Sequence, residues 1–311
     1  MTAPPLLISI CVCTYHRPRL LANLLSSLAN QRTDNKFEIE VVVVDNDYAA
    51  SARNMVNKAA NQFPQLHMNY EIEPVQGLSH ARNRAVALAS GNYVAFIDDD
   101  EYAESDWLAS LLETLQHHAA DAVLGPVLPQ FPANAPAWAK KSKLFERPRY
   151  PTGTRISSGN GRTGNALVSA NWLRRRKPAP FDVHFAHSGA EDQDFFVWME
   201  RGGATLLWCD SAVVHEIVPP ARLTIRYLLM RRFRSAVIYS RLAGQKNTRW
   251  RWLLVALYGS LGGTLLFLLC SLILPLGLHR AVRVWVKGAN AYGRLVSLSN
   301  IRLVAYGERN G

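Results

Sequence analysis

The chain has 311 residues, 49% of them hydrophobic and 19% charged, a composition that supports a full core and excludes general disorder. The net charge of +11 is unevenly placed: residues 1–221 hold 20 Lys and Arg against 23 Asp and Glu, whereas 222–311 hold 15 against Glu308 alone. A basic excess beside the most hydrophobic stretch of the chain points to anionic lipid and away from nucleic acid.

Residues 6–14 (LLISICVCT) read as a buried strand. Leu20, Leu21, Leu24, Leu25 and Leu28 then recur at helical spacing over 18–31, with Pro18 suited to the first turn. A strand at 38–44, a helix at 51–63, a strand at 67–73 and a helix at 79–90, stopped by Gly91, follow in turn. The strand at 92–97 ends in Asp98-Asp99-Asp100-Glu101; Ser105 is expected to cap a helix running to about His118, and AVLGPVL reads as one further strand. This alternation predicts an α/β fold, a Rossmann-like and mostly parallel sheet with helices on both faces, whose ligands bind beyond the carboxyl ends of the strands.

After Pro129 the period is lost, and 129–160 is expected to form a loop region over the site. Trp138, Phe145 and Tyr150 in it suit either sugar stacking or packing. Order returns at 163–169, in a helix near 190–201, and in a strand at 204–209. The expected division is one domain over 1–220 and a basic, hydrophobic helical region over 221–311. Residues 253–278 carry no charge. As a helix they would measure about 39 Å against a hydrocarbon core of roughly 30 Å. Basic flanks on both sides leave spanning, re-entrant and docked arrangements open. Cys11, Cys13, Cys209 and Cys270 lack the spacing of a disulfide or metal framework. The start MTAPPLLISICVC lacks a secretory signal's basic opening, so the first domain is expected in the cytoplasm.

The chemistry-bearing residues collect at strand ends. Three carboxylates directly after a buried strand repel one another unless a cation resolves the conflict, and hard oxygen ligands suit Mg²⁺ or Mn²⁺. Strand alternation makes Asp98 and Asp100 the working pair. Thr14 and Tyr15 are candidates for touching a base and Arg17 for meeting phosphate, while Asp45 and Asp47 suit ribose or base hydrogen bonds or a capping role. Arg82, near a helix start, favours an anion. Glu191 and Asp192 open a helix and offer a general base, and His215 is a candidate metal ligand or acceptor contact.

TYHRP, VVVVDND, SHARNRAVALASGNYVAFIDDDE, TGNAL and GAEDQDFF, in this order over residues 6–220, resemble glycosyltransferase family 2 of GT-A fold, and within it the succinoglycan-type glucosyltransferases. The resemblance implies an inverting transfer from a UDP-sugar to a lipid-linked saccharide acceptor at the cytoplasmic face of the plasma (inner) membrane, alongside other polysaccharide-assembly enzymes. It implies that Thr14, Arg17, Asp45 and Asp47 hold the uridine end, that Arg82 lies near the nucleotide, and that Asp98 and Asp100 serve ribose and metal. Gly164 and Asn165 would line the donor-sugar pocket, and Asp192 would be the base with Glu191 orienting it. Three acids stand where many relatives carry two around a variable residue, so Asp99 is a further candidate. RLTIRYLLMRRFR lacks the Gln-x-x-Arg-Trp of processive synthases, which implies single-sugar addition. A polyprenyl-phosphate sugar transferase and a catalytically inactive membrane partner remain as alternatives.

Overall fold

The computed structural model describes residues 6–244 and 277–297, with a few positions between 254 and 274. The chain divides into two units, Met1–Leu128 with Arg147–Glu216, and Pro129–Glu146 with Ile217–Ala305.

The first unit begins with β1 (Leu7–Thr14), α1 (Pro18–Ala29), β2 (Glu38–Asp45), α2 (Arg53–Gln62) and β3 (His67–Ile72). It continues through α3 (Leu78–Leu88), β4 (Tyr93–Ile97), β5 (Glu101–Ala103), α4 (Trp107–His117) and β6 (Ala122–Leu124). Strand β7 (Val127–Gln130) and helix α5 (Ala137–Ser142) lead away, and β8 (Asn165–Ser169), α6 (Ala170–Arg175), α7 (Glu191–Arg201), β9 (Leu206–Trp208) and β10 (Val214–Ile217) follow.

Seven strands form one sheet in the order β3-β2-β1-β4-β8-β6-β9. Strands β3, β2, β1 and β4 run parallel, and β8 runs antiparallel to both β4 and β6. Alternate residues of the central strands feed two cores. Ile8, Ile10, Val12, Val41 and Val43 pack with the leucines of α1 and with Trp107, Leu108 and Leu111 of α4. Cys11, Val42, Val44 and Phe96 face Ala81 and Ala85 of α3 and Phe195, Phe196 and Met199 of α7. A sheet covered on both sides explains why its strands read as unbroken apolar runs.

Two expectations need correction. Helix α4 starts at Trp107, not at Ser105; its N-cap position is Asp106 with no side-chain cap bond, and the Ser105 carbonyl instead accepts the Arg32 amide at 2.9 Å. AVLGPVL is two strands in two sheets: β6 joins the large one, and β7 joins a three-stranded sheet with β5 and β10. The break falls at Gly125-Pro126, where proline has no amide to continue a ladder.

The second unit holds α5, α8 (Ile225–Gly244) and α9 (Leu278–Val296). Helices α8 and α9 pack closely where Gly293 meets α8: a Cβ there would stand 2.4 Å from the Phe233 carbonyl oxygen and 2.8 Å from the Ala236 Cβ. Within this unit Trp138 and Phe145 pack beside Val218, Leu223, Leu228 and Val282, so they serve its core. The expected membrane segment, 253–278, falls mostly outside the described residues. Among the described residues no helix is long and apolar enough to cross a membrane.

Candidate active site

Parallel register brings the carboxyl ends of β1, β2 and β4 together, with Thr14 paired to Asp45 and Cys11 to Phe96. The polar residues that follow each strand therefore meet in one place, all within the first unit. After Ile97 the chain leaves the strand and turns, so Asp98, Asp99 and Asp100 do not alternate as a strand would. The turn gives the three acids different surroundings.

Asp99 is buried, accepting Thr14 Oγ1 at 2.8 Å and Arg17 Nη1 at 2.9 Å. The same Arg17 nitrogen lies 3.2 Å from Asp100 Oδ2, so a guanidinium already sits across two carboxylates. Burial pushes the Asp99 carboxyl up to about 6, against the lowering effect of Arg17. Arg17, expected at phosphate, is thus placed on acids. The Asp98 side chain keeps 48% of its surface exposed and is held by Arg82 Nη2 at 3.3 Å.

Arg82 connects this turn to the helix that opens with the second acid group. It is buried in α3, its guanidinium 5.9 Å from the Phe181 ring centroid, and its Nη1 contacts Glu191 Oε1 at the start of α7. Burial alone would lower the Arg82 pKa, but Glu191, Asp98 and Asp192 together hold it above its ordinary value. Glu191 is only 2% exposed, its Oε2 has no hydrogen-bond partner, and burial raises its pKa against the opposing Arg82. Asp192 is half-buried in the first turn of α7 and accepts the Gln193 amide at 2.7 Å. The α7 entry is fixed by two successive left-handed residues, Gly189 (φ 79°) and Ala190 (φ 78°).

Other expected residues divide between binding and support. Asp45 is fully buried and accepts the Asp47 and Ala52 amides and the Tyr70 hydroxyl, so it secures the start of α2. Asp47 accepts the Ala49 amide and faces His16 Nε2 at 3.6 Å beside Tyr15, which is 45% exposed at the crevice end of β1. Asn165 corrects the expectation of a pocket wall. Its side chain accepts Trp107 Nε1 and donates to the Pro126 and Ala212 carbonyls, fully engaged at 2% exposure.

Gly164 does border the carboxylates, since a Cβ there would lie 2.9 Å from Glu101 Oε1 and 3.3 Å from Asp98 Oδ2. His215 stacks on Tyr102 at 4.9 Å and bonds Glu104 at 3.0 Å, so its Nε2 is engaged. Among the described residues, no group of three or more His, Cys, Asp or Glu side chains forms a ready metal cage.

Sequence reasoning missed two contributors. Glu101 is buried beneath the turn and accepts the Asp98 amide at 2.9 Å; its only signal was the continued run of acids. Burial raises the Asp98 pKa, and Arg147 joins Arg82 in opposing that rise, a role for which the irregular 129–160 stretch held no signal.

The glycosyl transferase family 2 model matches residues 9–179. The chain is 37% identical over 261 residues to the succinoglycan biosynthesis protein ExoM of Rhizobium meliloti, covering 82% of each. The mannosyltransferase PcManGT of Pyrobaculum calidifontis, solved with GDP-Man and Mn²⁺, matches with a TM-score of 0.65 at 20% identity, over 96% of this chain and 88% of that one. Staphylococcus aureus TarS 1–349 with UDP-GlcNAc matches with a TM-score of 0.54 at 20% identity, over 92% and 90%. At such identities these two structures establish the GT-A fold alone. With the family model spanning more than half of its length, this chain belongs to glycosyl transferase family 2.

Proposed function

We propose that the chain transfers a hexose from a UDP-sugar to a lipid-linked saccharide, with inversion, during assembly of a cell-surface polysaccharide at the cytoplasmic face of the plasma (inner) membrane. The observation that carries this reading is the Arg82 bridge, which ties the aspartate turn after β4 to the Glu191-Asp192 pair opening α7. One guanidinium thereby sets donor-side and acceptor-side carboxylates in a common frame. The similarity to a succinoglycan biosynthesis protein supports the polysaccharide context.

Half-exposed Asp98 together with Asp100 offers hard carboxylate oxygens of the kind that suit a divalent cation, which would share Asp100 with Arg17. Asp98 and Asp100 would hold Mn²⁺ or Mg²⁺. When bound, the ion stabilises the diphosphate as a leaving group.

The rest falls to side chains. Asp99, fixed by Thr14 and Arg17, offers an acceptor to a ribose hydroxyl. Tyr15 and Asp47 stand at the outer end of the same crevice and suit the base. Asp192 takes the proton of the attacking acceptor hydroxyl as its oxygen bonds to the anomeric carbon, and the electron pair of the broken C–O bond leaves with UDP. Glu191 keeps the first turn of α7 in place through Arg82.

The test is binding and hydrolysis of a UDP-sugar panel by the detergent-purified chain with Mn²⁺, with Mg²⁺ and with chelator. Metal-dependent binding of one UDP-hexose supports the donor assignment; no binding under any condition defeats it. Acceptor assays with a lipid monophosphate and a lipid-pyrophosphate glycan then separate this reading from a polyprenyl-phosphate sugar transferase.

A further inference from the structure

The second unit has an extreme charge balance. Residues 129–146 and 217–305 contain 17 Lys and Arg and a single acid, Glu146. Cations at this density repel one another, and the unit holds almost no carboxylate to answer them. Their arrangement on α9 is ordered. Ala281, Val282, Val286, Gly288 and Gly293 form its buried face. Arg280, Arg283, Lys287 and Arg294 are exposed, and at 3.6 residues per turn they fall within an arc of about 60° on the opposite side.

Arg283 fixes this stripe to its surroundings. Its Nε donates to the Ser142 carbonyl at 2.7 Å and its Nη2 to the Lys141 carbonyl at 3.3 Å, closing the end of α5. Lys143 follows at once. An open groove of about 650 Å³ results, in which Lys143, Arg280 and Lys287 alternate with the apolar Leu144 and Val284. Among the described residues, Arg280, Lys287 and Arg294 have no carboxylate partner. Leu278 at the start of the helix and Tyr292 near its end are also exposed, and the sequence before it carries no charge from Leu253 onward.

We propose that the Arg280–Arg283–Lys287–Arg294 stripe of α9, with Lys143, is a docking surface for the anionic phospholipid face of a bilayer. Phosphate headgroups supply the missing negative charge, while the interleaved apolar residues meet the glycerol and first methylenes, as on interfacial helices. A polynucleotide would answer the charge but not the apolar half of the groove. The inference rests on the reading that the acceptor is held at a membrane, and it assigns the surface that meets that membrane.

The test is co-sedimentation of the full chain with vesicles of pure phosphatidylcholine and with vesicles containing phosphatidylglycerol. The parent chain should bind the anionic vesicles more tightly, and added salt should weaken that binding steeply. Each Lys or Arg near such a surface contributes roughly fivefold, so Arg280→Gln with Lys287→Gln and Arg294→Gln should lose roughly 100-fold. Arg280→Lys with Arg294→Lys should bind as the parent does. Unchanged binding by the triple variant overturns the proposal. Should that variant misfold, parent binding that ignores salt and headgroup charge overturns it equally. UDP-sugar binding in solution, followed in the same preparations, should persist in the triple variant, so failure of the docking surface and failure of the transferase reading are separate results.

Discussion

Replacing Arg82 by leucine is the sharpest probe of how fold and site are joined. The change removes a guanidinium that is 5% exposed and leaves Glu191, 2% exposed, facing an apolar side chain with neither carboxylate oxygen partnered by it. Breaking a buried ion pair from one side costs about 3–5 kcal/mol. For a unit of this size that is a loss of roughly 6–20 °C in melting temperature. Asp98 loses a partner too, but at 48% exposure water replaces it.

The cost must depend on pH. Burial already raises the folded pKa of Glu191 above the unfolded value, and loss of Arg82 raises it further. Between the unfolded and folded values the native state binds more protons, so stability falls as pH rises through that window and levels off above it. Arg82→Leu should therefore be near parental stability at pH 5 and strongly destabilised at pH 8. Arg82→Leu combined with Glu191→Gln should recover much of the loss at pH 8 while remaining inactive. Thermal melts at the two pH values decide the matter. A loss of equal size at both, or no rescue by the second substitution, would refute the buried-pair reasoning.

Asp192→Asn should keep UDP-sugar affinity and lose transfer by at least about 100-fold; intact turnover would remove it from the role of base. Asp100→Ala should abolish the metal-dependent part of donor binding in calorimetry, and equal affinity with and without metal would count against it. Asn165→Ala leaves the Ala212 carbonyl and the Trp107 indole N–H unanswered, while the Pro126 carbonyl keeps the Val214 amide, so stability to denaturant should drop by about 2–4 kcal/mol with donor KM unchanged. A raised KM at parental stability would restore its pocket role. Gly164→Ala presses a methyl against the Glu101 carboxylate, which is anchored by the Asp98 amide, so about 1–3 kcal/mol of stability and much of the donor affinity should go together.

The β1-to-β4 half of the molecule was legible because each of its elements carries a full period: α1 places leucines on one face, and β2 is an apolar run covered on both sides. Where elements shrink to three or four residues the signal vanishes. β5, β7 and β10 are of that size, and their pairing depends on partners as much as 115 residues away, as between Glu101 and Glu216. The acidic turn and the Glu191-Asp192 pair stood out because uncompensated carboxylates are unusual in a buried setting. Arg17 and Arg82 stood out as anion binders, but their pairing with these very acids did not, because it depends on contacts 16 to 109 residues apart. Asn165 misled for the opposite reason: an amide beside a site resembles a binding group until its three bonds to strand-end carbonyls and an indole are seen.

The span between Arg82 and Glu191 is 109 residues. At a ribosomal rate of about 5–20 residues per second, Arg82 emerges roughly 5–20 seconds before the acid that neutralises it. In that interval the first four parallel strands can pair, yet Arg82 has only the half-exposed Asp98 to answer it, and water stays on the face that Glu191 will later cover. The acidic turn and the buried guanidinium beneath it thus reach their final dry arrangement only with the first turn of α7, the last part of the site to be synthesised.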